Sequence, residues 1–286
     1  MEKVFGVVIL FNPQEGVNRN ISSYLSFVDK LLVIDNSEPP AKVDLGELED
    51  KDKVVLIAEG SNKGIAIRLN EAARYALSEG ASWLLTMDQD SFFDESNLVL
   101  YQEYFQQHKH KDRVAMFGVE FEQLPGNIGN ETIEAYNIIT SGSLVNLTIY
   151  KCIGGFDEAL FIDDVDVEYC IRAGLNGYKT LKFKNVYLHH SLGSVLQYRS
   201  LKSFKKTPRV LHTPLRIYYM VRNHLYVNKK YKSKLPRLLL LQRKKDIRNR
   251  IKNNFLYGSN RITLIKYLVL ALVHYKTGKM GRLKKS

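Results

Sequence analysis

The amino-acid sequence predicts an α/β fold: a doubly wound, mostly parallel sheet flanked by helices, followed by a basic helical extension at the C-terminus. Three observations predict it. Short, wholly apolar runs alternate with helical patterns through the first part of the chain. Charge is split unevenly, with 18 Lys and Arg against 29 Asp and Glu in residues 1–200, and 24 against the single Asp246 in residues 201–286. The texture also changes near residue 200, where basic and aromatic residues interleave from Tyr198 to Tyr231. A two-part chain follows, residues 1–200 and residues 201–286, and the basic part is suited to an anionic partner. Nucleic acid and an anionic membrane leaflet are the two candidates.

Taken in order, Val4–Phe11 reads as a buried strand because both faces are apolar and Asn12-Pro13 ends it. Lys30–Asp35 and Val54–Ala58 read the same way. Ile65–Glu79 reads as a helix, with Ile65, Leu69, Ala72, Ala73, Ala76 and Leu77 on one face and Gly80 as its stop. Trp83–Met87 is another buried strand, Leu98–His108 another helix, and Lys182–Leu188 is strand-like. In sheets of this type, ligands bind beyond the carboxyl ends of the strands. Toward the C-terminus Leu235–Lys252 reads as a basic helix. Ile262–Tyr275 is apolar over 14 residues, with Lys266 inside it. That is too short to span a bilayer, which leaves an interfacial amphipathic helix or a helix packed on the protein's own core.

Composition narrows the classes further. Among 286 residues, 45% are hydrophobic and only two are cysteines, Cys152 and Cys170, so neither a disulfide scaffold nor a four-cysteine zinc site is expected. The first strand is too short and too β-branched for a signal peptide, and no uncharged run is long enough to cross a membrane. A cytoplasmic protein with reduced cysteines is the expectation. The chain lacks Gly-x-Gly-x-x-Gly after its first strand, a phosphate loop ending in Gly-Lys-Ser/Thr, and His-Glu-x-x-His. Dinucleotide oxidoreductases, P-loop kinases and zinc proteases drop away with them.

Asp88-Gln89-Asp90 directly follows the Trp83–Met87 strand. Two carboxylates at i and i+2 beyond a strand end suit a hard divalent ion such as Mn²⁺ or Mg²⁺, which takes oxygen ligands and bridges to phosphate. A polar strand-to-helix turn is the alternative for so short a motif. Asp35-Asn36-Ser37 and Ser61-Asn62-Lys63-Gly64 end the second and third strands. Either could be turn chemistry alone, but sharing one sheet edge with Asp88 and Asp90 makes a nucleotide pocket more economical. Asp163, Asp164, Asp166 and Glu168 place four acids in six positions near a helix start. A helix N-terminus favours some acids, yet four crowd like charge, and one of them as a general base is the functional reading. His190 closes the series as a candidate third metal ligand.

In this order the segments VVILFNP, VIDNS, SNKGIAIRLN, LLTMDQDS, TSGSLV, GGFDEALFIDDVDVEYCIRAG and HHSLG resemble the family 2 inverting glycosyltransferases of GT-A fold. Within that family the resemblance is nearest to bacterial rhamnosyltransferases of polysaccharide assembly. It covers residues 4–195, and LHTPLRIYYMVRN more weakly. The resemblance implies that residues 1–200 form the catalytic domain. It implies a donor pocket made by Asn12, Asp35, Asn62, Lys63, Gly64, Asp88, Gln89 and Asp90, with Asp88, Asp90 and His190 on Mn²⁺ or Mg²⁺. Asp166 falls on the family's catalytic base, and Thr140, Ser141 and Gly142 on its acceptor side. The family often has Glu-Asp at the base motif, whereas Val165 precedes Asp166 here, so Asp163 stays as a second candidate for base or acceptor contact.

The implied reaction moves a sugar, L-rhamnose from dTDP-L-rhamnose, to a hydroxyl of a lipid-linked oligosaccharide or polysaccharide, with inversion. The same family using UDP-galactofuranose or a UDP-hexose is the alternative. A nucleotidyltransferase, which would release pyrophosphate, and a nucleic-acid-binding protein with a phosphate-contacting tail rank lower. The basic extension implies attachment to the inner face of the cell membrane, and no nucleic acid partner is expected. Oligomeric state stays open.

Overall fold

The computed structural model describes residues 2–46, 48, 50–121, 131–190, 195–199 and 204–284. Two compact units emerge: one comprises residues 1–158 and 165–190, the other residues 159–164 and 191–286.

In chain order the first unit begins β1 (Val4–Leu10), α1 (Val17–Leu25), β2 (Lys30–Asp35), β3 (Val54–Ala58), α2 (Ile65–Ser78) and β4 (Trp83–Asp88). It continues with β5 (Ser91–Phe92), α3 (Glu95–Gln107), β6 (Val114–Glu120), β7 (Thr132–Glu134), β8 (Ser143–Asn146) and α4 (Leu147–Ile153). After residues 159–164 come α5 (Val165–Leu175), β9 (Lys179–Tyr187) and β10 (His189–His190). The eight-stranded sheet runs β3-β2-β1-β4-β8-β6-β9-β7. Strands β1, β2, β3 and β4 are parallel neighbours, as the alternation of buried runs and helices predicts. Beyond β4 the sheet is mixed, because β8 is antiparallel to both β4 and β6, and β7 to β9.

Register fixes the edge that matters for function. Leu10 lies opposite Asp35, Ile9 opposite Asp88, and Asp35 opposite Ala58. The ends of four parallel strands therefore sit level on one edge of the sheet, with Asp35 and Asp88 on either side of β1. Every residue of β1 is buried, and so are all of β2 after Lys30 and all of β4 before Asp88. Trp83 meets Phe105 edge-on at 5.0 Å, one of several aromatic pairs that fix α3 to this sheet.

Two sequence expectations need correction here. Val54–Ala58 is an edge strand whose Leu56 is 43% exposed, so its apolar run is not buried on both faces. The buried face of α2 is only partly apolar: Arg68 and Asn70 are buried with Leu69, Ala72, Ala73 and Ala76, while Ile65 and Leu77 are half-buried. Polar residues can occupy that face because every one of their hydrogen-bonding groups finds a partner. Asn70 accepts from Tyr150 Oη and the Phe156 N–H, and donates to the Phe156 carbonyl and Glu158.

The second unit holds the hairpin β11 (Val195–Arg199) and β12 (Lys206–Val210), then α6 (Pro214–Tyr231), α7 (Arg237–Tyr257) and α8 (Arg261–Thr277). Thr213 caps α6, accepting from the Arg216 N–H, with Pro214 at the first helical position. Its core joins Ile217, Tyr218, Tyr219, Met220 and Val221 of α6 to Leu264 and Ala271 of α8. Among the described residues no helix is long and apolar enough to cross a membrane.

Candidate active site

At the carboxyl end of β4 the chain turns through Asp88, Gln89 and Asp90 into the two-residue β5. Antiparallel pairing of β5 with β10 sets His190 opposite Ser91, and that pairing carries a residue one hundred positions away to the Asp-x-Asp turn. Asp88, Asp90 and His190, all half-buried, each offer a ligand atom, and the three atoms lie within 4.8 Å of one another. His190 Nδ1 is 3.3 Å from Asp90 Oδ1 and 2.7 Å from Ser91 Oγ. Ser141 Oγ donates to Ser91 Oγ at 2.7 Å and accepts from the Asp88 N–H at 3.3 Å. The hydrogen bond to Asp90, aided by the charges of Asp88 and Asp90, raises the His190 pKa above its ordinary value against the opposing effect of burial. Two carboxylates and one imidazole fit a hard or borderline divalent ion, and each residue is braced by neighbours rather than floating. His189 instead faces solvent, stacked on Phe92 and 2.6 Å from Asp94.

The strand ends are knitted to one another. Gln89 accepts from the Phe11 N–H and donates to the Phe11 carbonyl, so its amide is spent on the end of β1. Asn12, with φ of 45°, donates its N–H to Ser37 Oγ just beyond β2. Asp35 is fully buried, and its two oxygens accept from the Ser37 and Ala41 N–H groups. A carboxylate used in this way shapes the turn that follows it.

A third group lies beyond β3. Asn62 Oδ1 accepts from Asn36 Nδ2 and the Gly64 N–H, while Asn36 Oδ1 accepts from the Lys63 N–H and Arg68 Nε. Lys63 Nζ sits between Glu59 at 2.6 Å and Glu71 at 2.9 Å. Fully buried Arg68 reaches the same two acids at 2.7 Å each and the Ser61 carbonyl. Burial pushes the Glu71 pKa up, but hydrogen bonds from Arg68 and Lys63 outweigh it and the net shift is downward. Gly64 has φ of 85°, a conformation that strains any residue with a Cβ.

Of the acceptor-side candidates, Ser141 is buried in the brace behind Asp88, and Gly142 has no room for a side chain. Its φ is 72° and an added Cβ would lie 2.8 Å from Leu188 and 2.9 Å from Val119. The Thr140 carbonyl accepts from Thr86 Oγ1.

The acidic segment divides between the two units. Asp163 and Asp164 precede α5 with φ of 66° and 60° and belong to the C-terminal unit. Arg216 Nε lies 2.7 Å from Asp163 Oδ2, Arg243 lies 3.3 Å from Asp164 Oδ1, and Asn223 donates to the Ile162 and Asp163 carbonyls. Burial raises both carboxyl pKa values, and Arg216 and Arg243 pull back against it. Asp166 sits in the first turn of α5, where the helix dipole favours a negative charge. Ser191 to Gly193 of the HHSLG motif lie outside the described residues.

With that geometry in place, comparison with known proteins is decisive. Residues 7–152 match the model of the family described as "Glycosyl transferase family 2". The chain belongs to glycosyl transferase family 2. This glycosyltransferase is 27% identical over 260 residues to the dTDP-rhamnosyl transferase RfbF of Shigella flexneri, covering 84% of this chain and 83% of that one. Its fold is that of the S. aureus TarS 1–349 crystal structure, with a TM-score of 0.59 at 15% identity, covering 96% of this chain and 80% of that one. The structure of GalNAc-T7 with UDP, GalNAc and Mn²⁺ aligns with a TM-score of 0.54 at 12% identity, over 96% of this chain and 58% of that one.

Three residues of this glycosyltransferase stand inside the sequence motifs with no role legible there. Asn36 and Arg68 organise the turn after β3, and Ser91 touches His190. Arg68 leaves a faint signal, a cation on a helix face that is otherwise apolar, with Glu59 and Glu71 near in sequence. Ser91 leaves none, because its role depends on the β5–β10 pairing.

Proposed function

We propose that the enzyme transfers L-rhamnose from dTDP-L-rhamnose to a hydroxyl of a lipid-linked oligosaccharide or polysaccharide, with inversion at the anomeric carbon. The convergence of Asp88, Asp90 and His190 at the strand edge carries the nucleotide-sugar part of this reading. The Shigella flexneri relative supports the choice of donor. Asp88, Asp90 and His190 would hold Mn²⁺ or Mg²⁺, which neutralises the charge that gathers on a diphosphate leaving group. Asn12, Asp35, Asn62, Lys63, Gly64 and Gln89 form the donor side, through the loops they brace. Asp166 accepts the proton of the acceptor hydroxyl as that oxygen attacks the anomeric carbon from the face opposite the nucleotide. Asp163, tied to Arg216, is assigned to the acceptor, as are Thr140, Ser141 and Gly142. No covalent intermediate is required. The enzyme works from the cytoplasmic side, on an anionic membrane surface met by residues 201–286.

Thermal unfolding with a panel of nucleotide sugars and Mn²⁺ tests the donor, because a ligand that binds the native state raises its apparent stability. The dTDP-L-rhamnose arm is expected to shift the midpoint most, and only with the metal present. A larger shift with a UDP-hexose or UDP-galactofuranose overturns the rhamnosyl reading. Release of pyrophosphate in place of nucleoside diphosphate overturns the transferase chemistry.

A further inference from the structure

Helix α8 buries one side and leaves another apolar side open. Leu264 and Ala271 pack into the core of the C-terminal unit. Ile262, Ile265, Val269, Leu272 and Val273 are between 46% and 72% exposed. At 3.6 residues per turn, steps of three, four, three and one align these five on a single stripe, roughly opposite the buried pair. The stripe is rimmed by cations. Arg261 precedes it, Lys266 stands beside it and Lys276 extends its line, and all three are exposed. No acid occurs anywhere from residue 247 to residue 286.

A contiguous exposed apolar stripe needs an occupant, and charge selects which one. A second copy packed face to face would bring Lys266 and Lys276 against their own kind, with no acid on α8 to pair with them. An anionic lipid surface meets both features at once, acyl chains for the stripe and phosphates for the rim.

We propose that α8 lies flat in the headgroup region of an anionic bilayer, with Ile262, Ile265, Val269, Leu272 and Val273 among the acyl chains and Arg261, Lys266 and Lys276 on lipid phosphates. The proposal rests on the reading that the enzyme works at a membrane surface, and names the face that meets it. A helix of 17 residues is about 25 Å long, short of a transverse span, which suits a helix lying in the plane.

Co-sedimentation of the full chain with phosphatidylcholine vesicles, with and without phosphatidylglycerol, tests it. Binding is expected only with phosphatidylglycerol, weakening as salt rises. The double variant Ile265→Glu/Val269→Glu should lower the bound fraction at least about tenfold, since it sets charge among the acyl chains. Val269→Trp supplies a second readout, because the protein's own Trp83 is buried in the other unit. Its emission should move to the blue on phosphatidylglycerol vesicles. Binding of the double variant equal to wild type, an unmoved Val269→Trp emission, or equal binding to neutral vesicles overturns the proposal. So does a wild-type dimer in sedimentation equilibrium that the double variant dissolves, which assigns the stripe to a second copy. Sugar transfer to a water-soluble acceptor without vesicles separates the two readings. The double variant should turn over like wild type, whereas a wild type that binds vesicles but transfers no sugar refutes the proposed reaction and leaves the lipid face standing.

Discussion

Replacing Arg172 by Met should destabilise the first unit about as much as a large cavity in its core. Arg172 holds Glu168 in two-pronged fashion, Nε to Oε1 at 3.1 Å and Nη2 to Oε2 at 2.9 Å, and Glu168 is fully buried. The same guanidinium donates to the carbonyls of Ile153, Gly154 and Gly155, tying α5 to the loop after α4. Met keeps the length of the side chain and removes every one of these bonds. Breaking a buried ion pair by removing one partner costs about 3–5 kcal/mol, and the three abandoned carbonyls add on the order of 1 kcal/mol each where water cannot reach them. The expected loss is therefore at least about 4 kcal/mol, a large part of the 5–15 kcal/mol that ordinarily separates folded from unfolded chains. Urea unfolding of Arg172→Met, Glu168→Leu and the double variant measures it. Removing both partners should cost about 2 kcal/mol less than the sum of the singles, because neither then strands a charge. A loss below about 1 kcal/mol for Arg172→Met, or strict additivity in the double variant, refutes the assignment of a buried charge pair.

Asp166→Asn keeps size and polarity but cannot accept a proton, so turnover should fall at least about 10²-fold while donor binding persists. Asp163→Asn should cost less, and the opposite ranking would move the base to Asp163. Asp90→Ala should remove the Mn²⁺-dependent part of the thermal shift given by dTDP-L-rhamnose, as should excess chelator on wild type; full activity under either condition sinks the metal site. Burial and the nearby Arg243 push the His224 pKa down from 6.5 to about 4, and Asn228 is 2.8 Å from its Nε2. The unfolded chain then binds the extra proton first, so this stability is complete above about pH 6.5 and drains away toward pH 4, on the order of 3 kcal/mol in all. The difference between wild type and His224→Gln in unfolding free energy should show that fall, with the opposing titration of Asp163 and Asp164 cancelling. A flat difference from pH 7 to pH 4.5 refutes it.

What was legible in the sequence is what depends on local pattern. Apolar runs named β1, β2 and β4 because a strand buried on both faces reads as a nearly continuous apolar run. Asp88 and Asp90 were visible because the end of such a run marks a ligand edge. The fully buried reading of Val54–Ala58 failed because composition does not say which strand lies at the rim of a sheet. Nothing in the local pattern shows that Arg68 and Asn70 are buried, because Glu59, Glu71 and Phe156 meet them only in the fold.

Three matters were left to tertiary structure, and each turns on which distant segments meet. His190 acquires Ser91 and Asp90 through a two-residue strand pairing that no spacing reveals. Asp163 and Asp166 stand three apart in a run of acids, yet one is held by Arg216 in the C-terminal unit while the other opens α5. For α8, an apolar segment of fourteen residues fits either burial or a lipid surface, and the structure divides it: Leu264 and Ala271 go to the core, and Ile262, Ile265, Val269, Leu272 and Val273 present a second stripe outward. Periodicity is a property of one segment and survives without its neighbours. Partner choice among polar groups is a property of the folded whole, because a buried charge or donor is tolerated only where the chain returns with its complement.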